Sequence, residues 1–215
     1  MKKIAVVLAG NGVFDGSEIH ETTLTLYSII KNGASYEIFA PNIDQHHVIN
    51  HLTGDEMNEK RNVLTESARI ARGKINDLAK FKAEDFDAII FPGGFGVAKN
   101  LCSFAFDGPN CKVNLDVEKA IRSMHERKKP IGALCISPVL ITKVLGNIKV
   151  TIGQDKDTAK AINEMGAKHQ DTTHGEVILD EENKIITTPC YMLDANIGQI
   201  GDGANNIVKK VLEMI

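Results

Sequence analysis

"PIGALCISPVLITKVLG", residues 130–146, passes from strand to helix with almost no loop between them. Ile131 to Leu134 form a short continuous apolar run, as expected of a strand buried on both faces of a parallel sheet. Pro138 suits the first turn of a helix and Gly146 the position just past its end. One thiol, Cys135, stands at the junction. It is either a small core residue or a nucleophile held up on a turn.

The same alternation runs towards both termini. "KIAVVLAG" (3–10), "SYEIFAP" (35–41) and "FDAIIFPGG" (86–94) read as further strands, the first and third running into glycine. Between them, "SEIHETTLTLYSIIKNG" (17–33) carries Ile19, Thr23, Leu26, Tyr27 and Ile30 at helical spacing, and "VLTESARIAR" (63–72) is helical. "NLDVEKAIRSMHERKK" (114–129) predicts a helix capped by Asn114, with Leu115, Ala120 or Ile121, and Met124 facing inward. Further on, "IKVTIG" (148–153) reads as strand and "DTAKAINEMG" (157–166) as helix. "EVILDEENKIITTP" (176–189) reads as two short strands about an acidic turn, and "NNIVKKVLEMI" (205–215) as an amphipathic helix. The pattern predicts one domain over 1–215, a doubly wound, mostly parallel α/β sandwich. Residues 41–62 and 97–113 lack periodicity and are expected to be loops covering a site.

With 215 residues, 43% of them hydrophobic, the chain can bury a sizeable core. A net charge of −3 with scattered basic residues gives no footprint for nucleic acid or an acidic membrane surface. No stretch approaches the ~18 apolar residues of a membrane span. The opening "MKKIAVVLAG" resembles a signal peptide for ten residues but runs into Asn11 and Asp15, so a cytoplasmic protein is expected. The four cysteines (Cys102, Cys111, Cys135, Cys190) show no metal or disulfide spacing. Cys102 and Cys111 could pair across a loop, but a reduced state is expected.

In such a sheet, ligands bind beyond the carboxyl ends of the strands. "AGNGVFDGSEIHE" (9–21), "PGGFG" (92–96), Cys135 and "TTPCYM" (187–192) all fall there. An elbow at Cys135 would hold the thiol exposed, in strained geometry, near a helix N-terminus, where its pKa should fall. The N–H groups of Gly94 and Ile136 could form an oxyanion hole. Glu18 and Glu21 share a helix face. Asp15 as N-cap with Glu18 would make a capping box, which leaves Glu21 as the carboxylate free to serve Cys135.

Taken together, these residues resemble the ThiJ/PfpI superfamily of the class I glutamine-amidotransferase-like fold. "GNGVFDGSEIHE" (10–21), "NHLTGDEMNEKRNVLTESARIARGKI" (50–75) and "FPGGFGVAKNL" (91–101) are similar to its ElbB-like branch, the enhancing-lycopene-biosynthesis proteins described as glyoxalases. The resemblance implies a flavodoxin-like fold, a homodimer, and a nucleophile at Cys135 with an acidic partner at Glu21 and an oxyanion N–H at Gly94. The implied reaction is cofactor-free, metal-free conversion of a small aldehyde, glyoxal or methylglyoxal, to the hydroxy acid.

Two positions depart from the superfamily. Where many members carry histidine directly after the cysteine, this chain has Ile136, and at the end of the next strand it has Gly153. His174, in the H-x-E string His174-Gly175-Glu176, is the substitute to consider, with His20 at an edge of the site. His47 and His51 lie four apart but have no third metal ligand at helpful spacing. Without a histidine base, turnover should be slow. A reactive thiol with little turnover, acting as a redox sensor or regulator, is the competing reading.

Overall fold

Along the first strand Ala5 and Val7 face one way and Ile4 and Val6 the other, and all four are fully buried. A strand of that kind has to be covered on both faces. The computed structural model describes residues 1–215 and shows how this is done. In chain order the first elements are β1 (Lys3–Val7), α1 (Ile19–Lys31), β2 (Ser35–Ala40), α2 (Val63–Ile70), β3 (Asn76–Asp77) and β4 (Ala88–Phe91). A π-helical turn, Val97–Leu101, leads to α3 (Phe104–Asp107) and α4 (Leu115–Glu126). The remainder comprises β5 (Ile131–Leu134), α5 (Pro138–Leu145), β6 (Lys149–Val150), α6 (Lys156–Glu164), β7 (Lys168–His169), β8 (Ile178–Asp180), β9 (Ile185–Thr188) and α7 (Ile197–Glu213).

The main sheet has seven strands in the order β3-β2-β1-β4-β5-β9-β8, parallel except for β8, which pairs antiparallel with β9. Apart from the two-residue β3 and the antiparallel edge strand β8, this is the flavodoxin-like order, with the switch point between β1 and β4. On one face α4 and α5 pack Val117, Ile121, Met124, Val139 and Leu140 onto Val7, Ile89 and Ile131. On the other, α1 and α7 bring Leu26, Ile29, Ile200, Ile207 and Val211 onto Ile4, Val6, Ile90 and Leu134. Each such fully buried side chain contributes ~1.5–3 kcal/mol. No helix is long and apolar enough to cross a membrane.

Three expectations change. "IKVTIG" contributes only β6, which pairs with β7 in a separate two-stranded sheet. From Thr151 onward side-chain hydroxyls replace the strand ladder. Thr151 N–H donates to Thr187 Oγ1, and Gly153 N–H to Thr151 Oγ1 (both 2.9 Å). Leu115, the first residue of α4, is 81% exposed, and Val117 takes the inward position instead. In α1 the row Ile19, Thr23, Tyr27 and Ile30 points to solvent, with Ile19, Tyr27 and Ile30 45–57% exposed. The buried face carries Glu21, Thr22, Thr25, Ser28 and Ile29, because α1 lies against α7 and the switch-point crevice.

Candidate active site at the Cys135 elbow

Cys135 follows β5 directly and has φ +58°, a left-handed conformation that non-glycine residues adopt at a cost of ~1–3 kcal/mol. Its N–H donates to Thr188 O (3.0 Å), and Ser137 Oγ donates to Pro92 O (2.8 Å), which ties the elbow to β9 and to the glycine turn after β4. The N–H groups of Gly94 and Ile136 both donate to the Cys135 sulfur. The thiol is nonetheless not the exposed, low-pKa group expected. It is only 7% exposed, and burial, followed by the charge of Glu21, raises its pKa well above the ordinary thiol range. Two N–H groups near the start of α5 do not offset that desolvation.

Glu21 has no solvent exposure. Its Oε2 accepts from Gly93 N–H (2.9 Å) and its Oε1 from Tyr191 N–H (3.1 Å), and it is hydrogen-bonded to the Cys135 thiol. Burial pushes its pKa from 4.5 to about 7, with Glu18 adding to the rise and the hydrogen bonds opposing it. The acid form is therefore favoured by folding. That contribution is full below pH 4.5 and lost as the pH climbs through 7, where ionising the carboxyl has cost roughly 3 kcal/mol. Near neutrality the Glu21–Cys135 pair has a proton to share.

Glu18 takes a different part from the one expected. It is itself the N-cap of α1: Oε2 accepts from Glu21 N–H (2.6 Å), and its own N–H donates to Gly93 O (2.9 Å). Asp15 forms no capping box, because the helix starts only at Ile19. Its carboxylate accepts instead from Ile49 N–H (2.6 Å).

The glycine turn is closed to larger residues. A Cβ on Gly93 would lie 2.3 Å from Cys135 Cβ and 2.6 Å from Glu21 Oε2. Gly94 has φ +101°, and a Cβ there would lie 2.4 Å from Glu18 N and from Gly16 O. Glycine lets the turn thread between the nucleophile elbow and the head of α1.

The other candidates lie apart from this cluster. His174 is exposed on a turn held to α7 by Asn206 Nδ2 donating to Gly175 O (2.9 Å). Gly153 has no room for the superfamily's second histidine, since a Cβ there would meet Leu193 Cδ2 and Pro189 Cβ at 3.0 and 3.1 Å. His51 stands between Phe14 N–H (3.2 Å) and Ile49 O (3.0 Å), while His47 packs edge-on against Phe106. Segment 41–62 shapes a hollow of about 250 Å³ lined by Phe14, Ile49, Gly54, Phe95 and Lys99, beside the glycine turn rather than over Cys135.

Two neighbours lie in "TTPCYM", which the sequence places at the site without giving either of them a role. Cys190, with φ +42°, forms a second strained elbow after β9, and Tyr191 bonds Glu21 through its N–H and His20 Nδ1 through its hydroxyl (2.8 Å). The bonds from Gly93 and Tyr191 are backbone bonds, which no residue type announces.

No family model matches the chain. It is 49% identical to the human glutamine amidotransferase-like class 1 domain-containing protein 3, mitochondrial, over 99% of this chain and 83% of that protein. The mitochondrial ES1 protein homolog of Rattus norvegicus is 48% identical, over 99% of this chain and 84% of its own length. Among solved structures, the isoprenoid biosynthesis protein with amidotransferase-like domain from Ehrlichia chaffeensis superimposes with a TM-score of 0.93 at 35% identity, covering 100% and 99% of the two chains. Glyoxalase III from Candida albicans gives a TM-score of 0.64 at 14% identity over 100% and 97%, which establishes shared fold alone. The mitochondrial relatives overturn the expected cytoplasmic location. Charge balance and unpaired thiols are properties of the folded domain and carry no address.

Proposed function

The chain belongs to the class 1 glutamine amidotransferase-like family of the ES1 proteins, and from the geometry of its site we propose that it is a cofactor-independent, glyoxalase-type enzyme acting on small aldehydes. The observation that carries the reading is the buried Glu21 carboxyl bonded to the Cys135 thiol, with a pKa of about 7. Glu21 accepts the thiol proton as sulfur adds to one carbonyl of glyoxal. The hemithioacetal oxygen is met by the N–H groups of Gly94 and Ile136, which already point at the sulfur. Glu21 hands that proton on to the hemithioacetal oxygen, and the regenerated carboxylate then takes the proton from the sulfur-bearing carbon and returns it to the second carbon through an enediol, which leaves a thioester. Water hydrolyses the thioester to glycolate, or to lactate from methylglyoxal, and returns the thiol. One carboxyl serves as both base and acid, so turnover falls below the ~10 s⁻¹ enzyme median.

A redox-sensing role for Cys135 has less support, since a thiol of raised pKa is a poor target for oxidants. The outward row Ile19, Tyr27 and Ile30 favours a homodimer joined through α1, and sedimentation of wild type against Tyr27→Glu would test it. For the activity, steady-state glycolate formation from glyoxal is measured against a panel of small aldehydes. Turnover lost in Cys135→Ala supports the reading; equal turnover in that variant, or none in wild type with any aldehyde, rejects it.

A further inference from the structure

Away from the elbow, two other thiols are brought together by a short antiparallel ladder. Ser103 N–H donates to Lys112 O and Asn114 N–H to Leu101 O (both 2.9 Å), so Cys102 lies directly opposite Val113. Cys111, two residues before Val113 on the same side of its extended strand, is the diagonal neighbour of Cys102. Both side chains are buried and free, and Cys102 Sγ donates to Val97 O (3.4 Å). Lys143 reaches over from α5, its Nζ donating to Pro109 O (2.7 Å), which places a positive charge beside Cys111. Of residues 103–110 between the two thiols none is buried, so this loop can follow as the sulfurs close.

The geometry points to a second thiol centre, in which hydrogen peroxide oxidises Cys111 and Cys102 resolves it to a Cys102–Cys111 disulfide. The Cys111 thiolate attacks one peroxide oxygen; the O–O bond breaks, and the leaving hydroxide takes up a proton to become water. The Cys102 thiolate then attacks the Cys111 sulfenic sulfur and releases a second water. Two electrons pass from the dithiol to the peroxide. The surroundings favour this order of attack: the neighbouring Cys102 thiol and the Lys143 ammonium lower the Cys111 pKa to about 7, while Cys102 is raised.

Both cysteines fall in one tryptic peptide, residues 100–112. The whole protein is exposed to equimolar hydrogen peroxide at pH 7, blocked with N-ethylmaleimide and digested. The 100–112 peptide should lose two hydrogens, reversibly with dithiothreitol and several-fold faster than Cys135 or Cys190 is modified. In Cys102→Ser, dimedone should trap a sulfenic acid on Cys111; in Cys111→Ser, none should form on Cys102. Oxidation of Cys135 ahead of the pair, or a dimedone adduct on Cys102 in place of Cys111, overturns the proposal. The wild-type measurement stands even if a variant misfolds.

Discussion

Cys135 and Cys111 are both buried thiols, yet their surroundings push them in opposite directions. Burial, and then the charge of the Glu21 carboxyl it faces, favour the neutral form of Cys135 against the opposing pull of the Gly94 and Ile136 N–H groups. Cys111 faces another thiol and a lysine ammonium, so its thiolate is favoured. The difference teaches that position on an elbow does not by itself make a thiol reactive. Between two buried thiols, the charges and polar groups set against each sulfur decide it. At Cys135 the raised pKa is workable because Glu21, itself pushed up to about 7, can take the proton when an electrophile arrives. The same arrangement protects the sulfur from chance oxidation between turnovers.

The contrast can be tested by disabling one region and watching the other. Cys135→Ala should abolish glyoxal turnover and leave the peroxide-driven loss of two hydrogens in peptide 100–112 unchanged. A parallel loss of both would mean the two regions are one site. Glu21→Gln should lower turnover by ~10²–10⁴-fold while the protein stays folded. An unchanged rate in the folded variant would remove the carboxyl from the chemistry. Gly93→Ala forces a Cβ into Cys135 and should cost ~1–3 kcal/mol in a denaturation midpoint, together with activity. An unchanged midpoint would show that the turn is looser than the 2.3 Å approach implies. The smallest effect is expected for Glu18→Gln. This variant keeps an oxygen to cap α1 and removes a charge that raises the Glu21 pKa, so the pH dependence should move slightly to lower pH with little change in maximal rate.

Much of this architecture is written in the sequence where local chemistry and position agree. The apolar run 131–134, Cys135 and Pro138 specify an elbow whatever surrounds them, and the glycine turn after β4 is equally explicit. What could not be read depends on neighbours distant in sequence. The periodicity of α1 identifies its apolar residues, but only the packing of α7 shows that Ile19, Tyr27 and Ile30 face out while Leu26 faces in with Glu21. The spacing Glu18–Glu21 is equally compatible with Asp15 or Glu18 as the cap; Ile49 N–H, from a loop without periodicity, claims Asp15. The Cys135 pKa went the other way for the same reason. A helix N-terminus is visible in sequence, whereas the depth of burial and the side from which a carboxylate approaches are not.

The account stands most directly on the pH–rate profile of glyoxal turnover, kcat/KM from pH 5 to 10, in wild type and Glu21→Gln. If Glu21 is the base that frees Cys135, it must be ionised to act. The wild-type rate should therefore fall below an inflection near pH 7 and level off above it, and Glu21→Gln should lose both that inflection and most of the rate. A profile that keeps rising through the ordinary thiol range near 8.5, and is the same in both proteins, would show that Cys135 ionises unaided and contradict the central role given to Glu21.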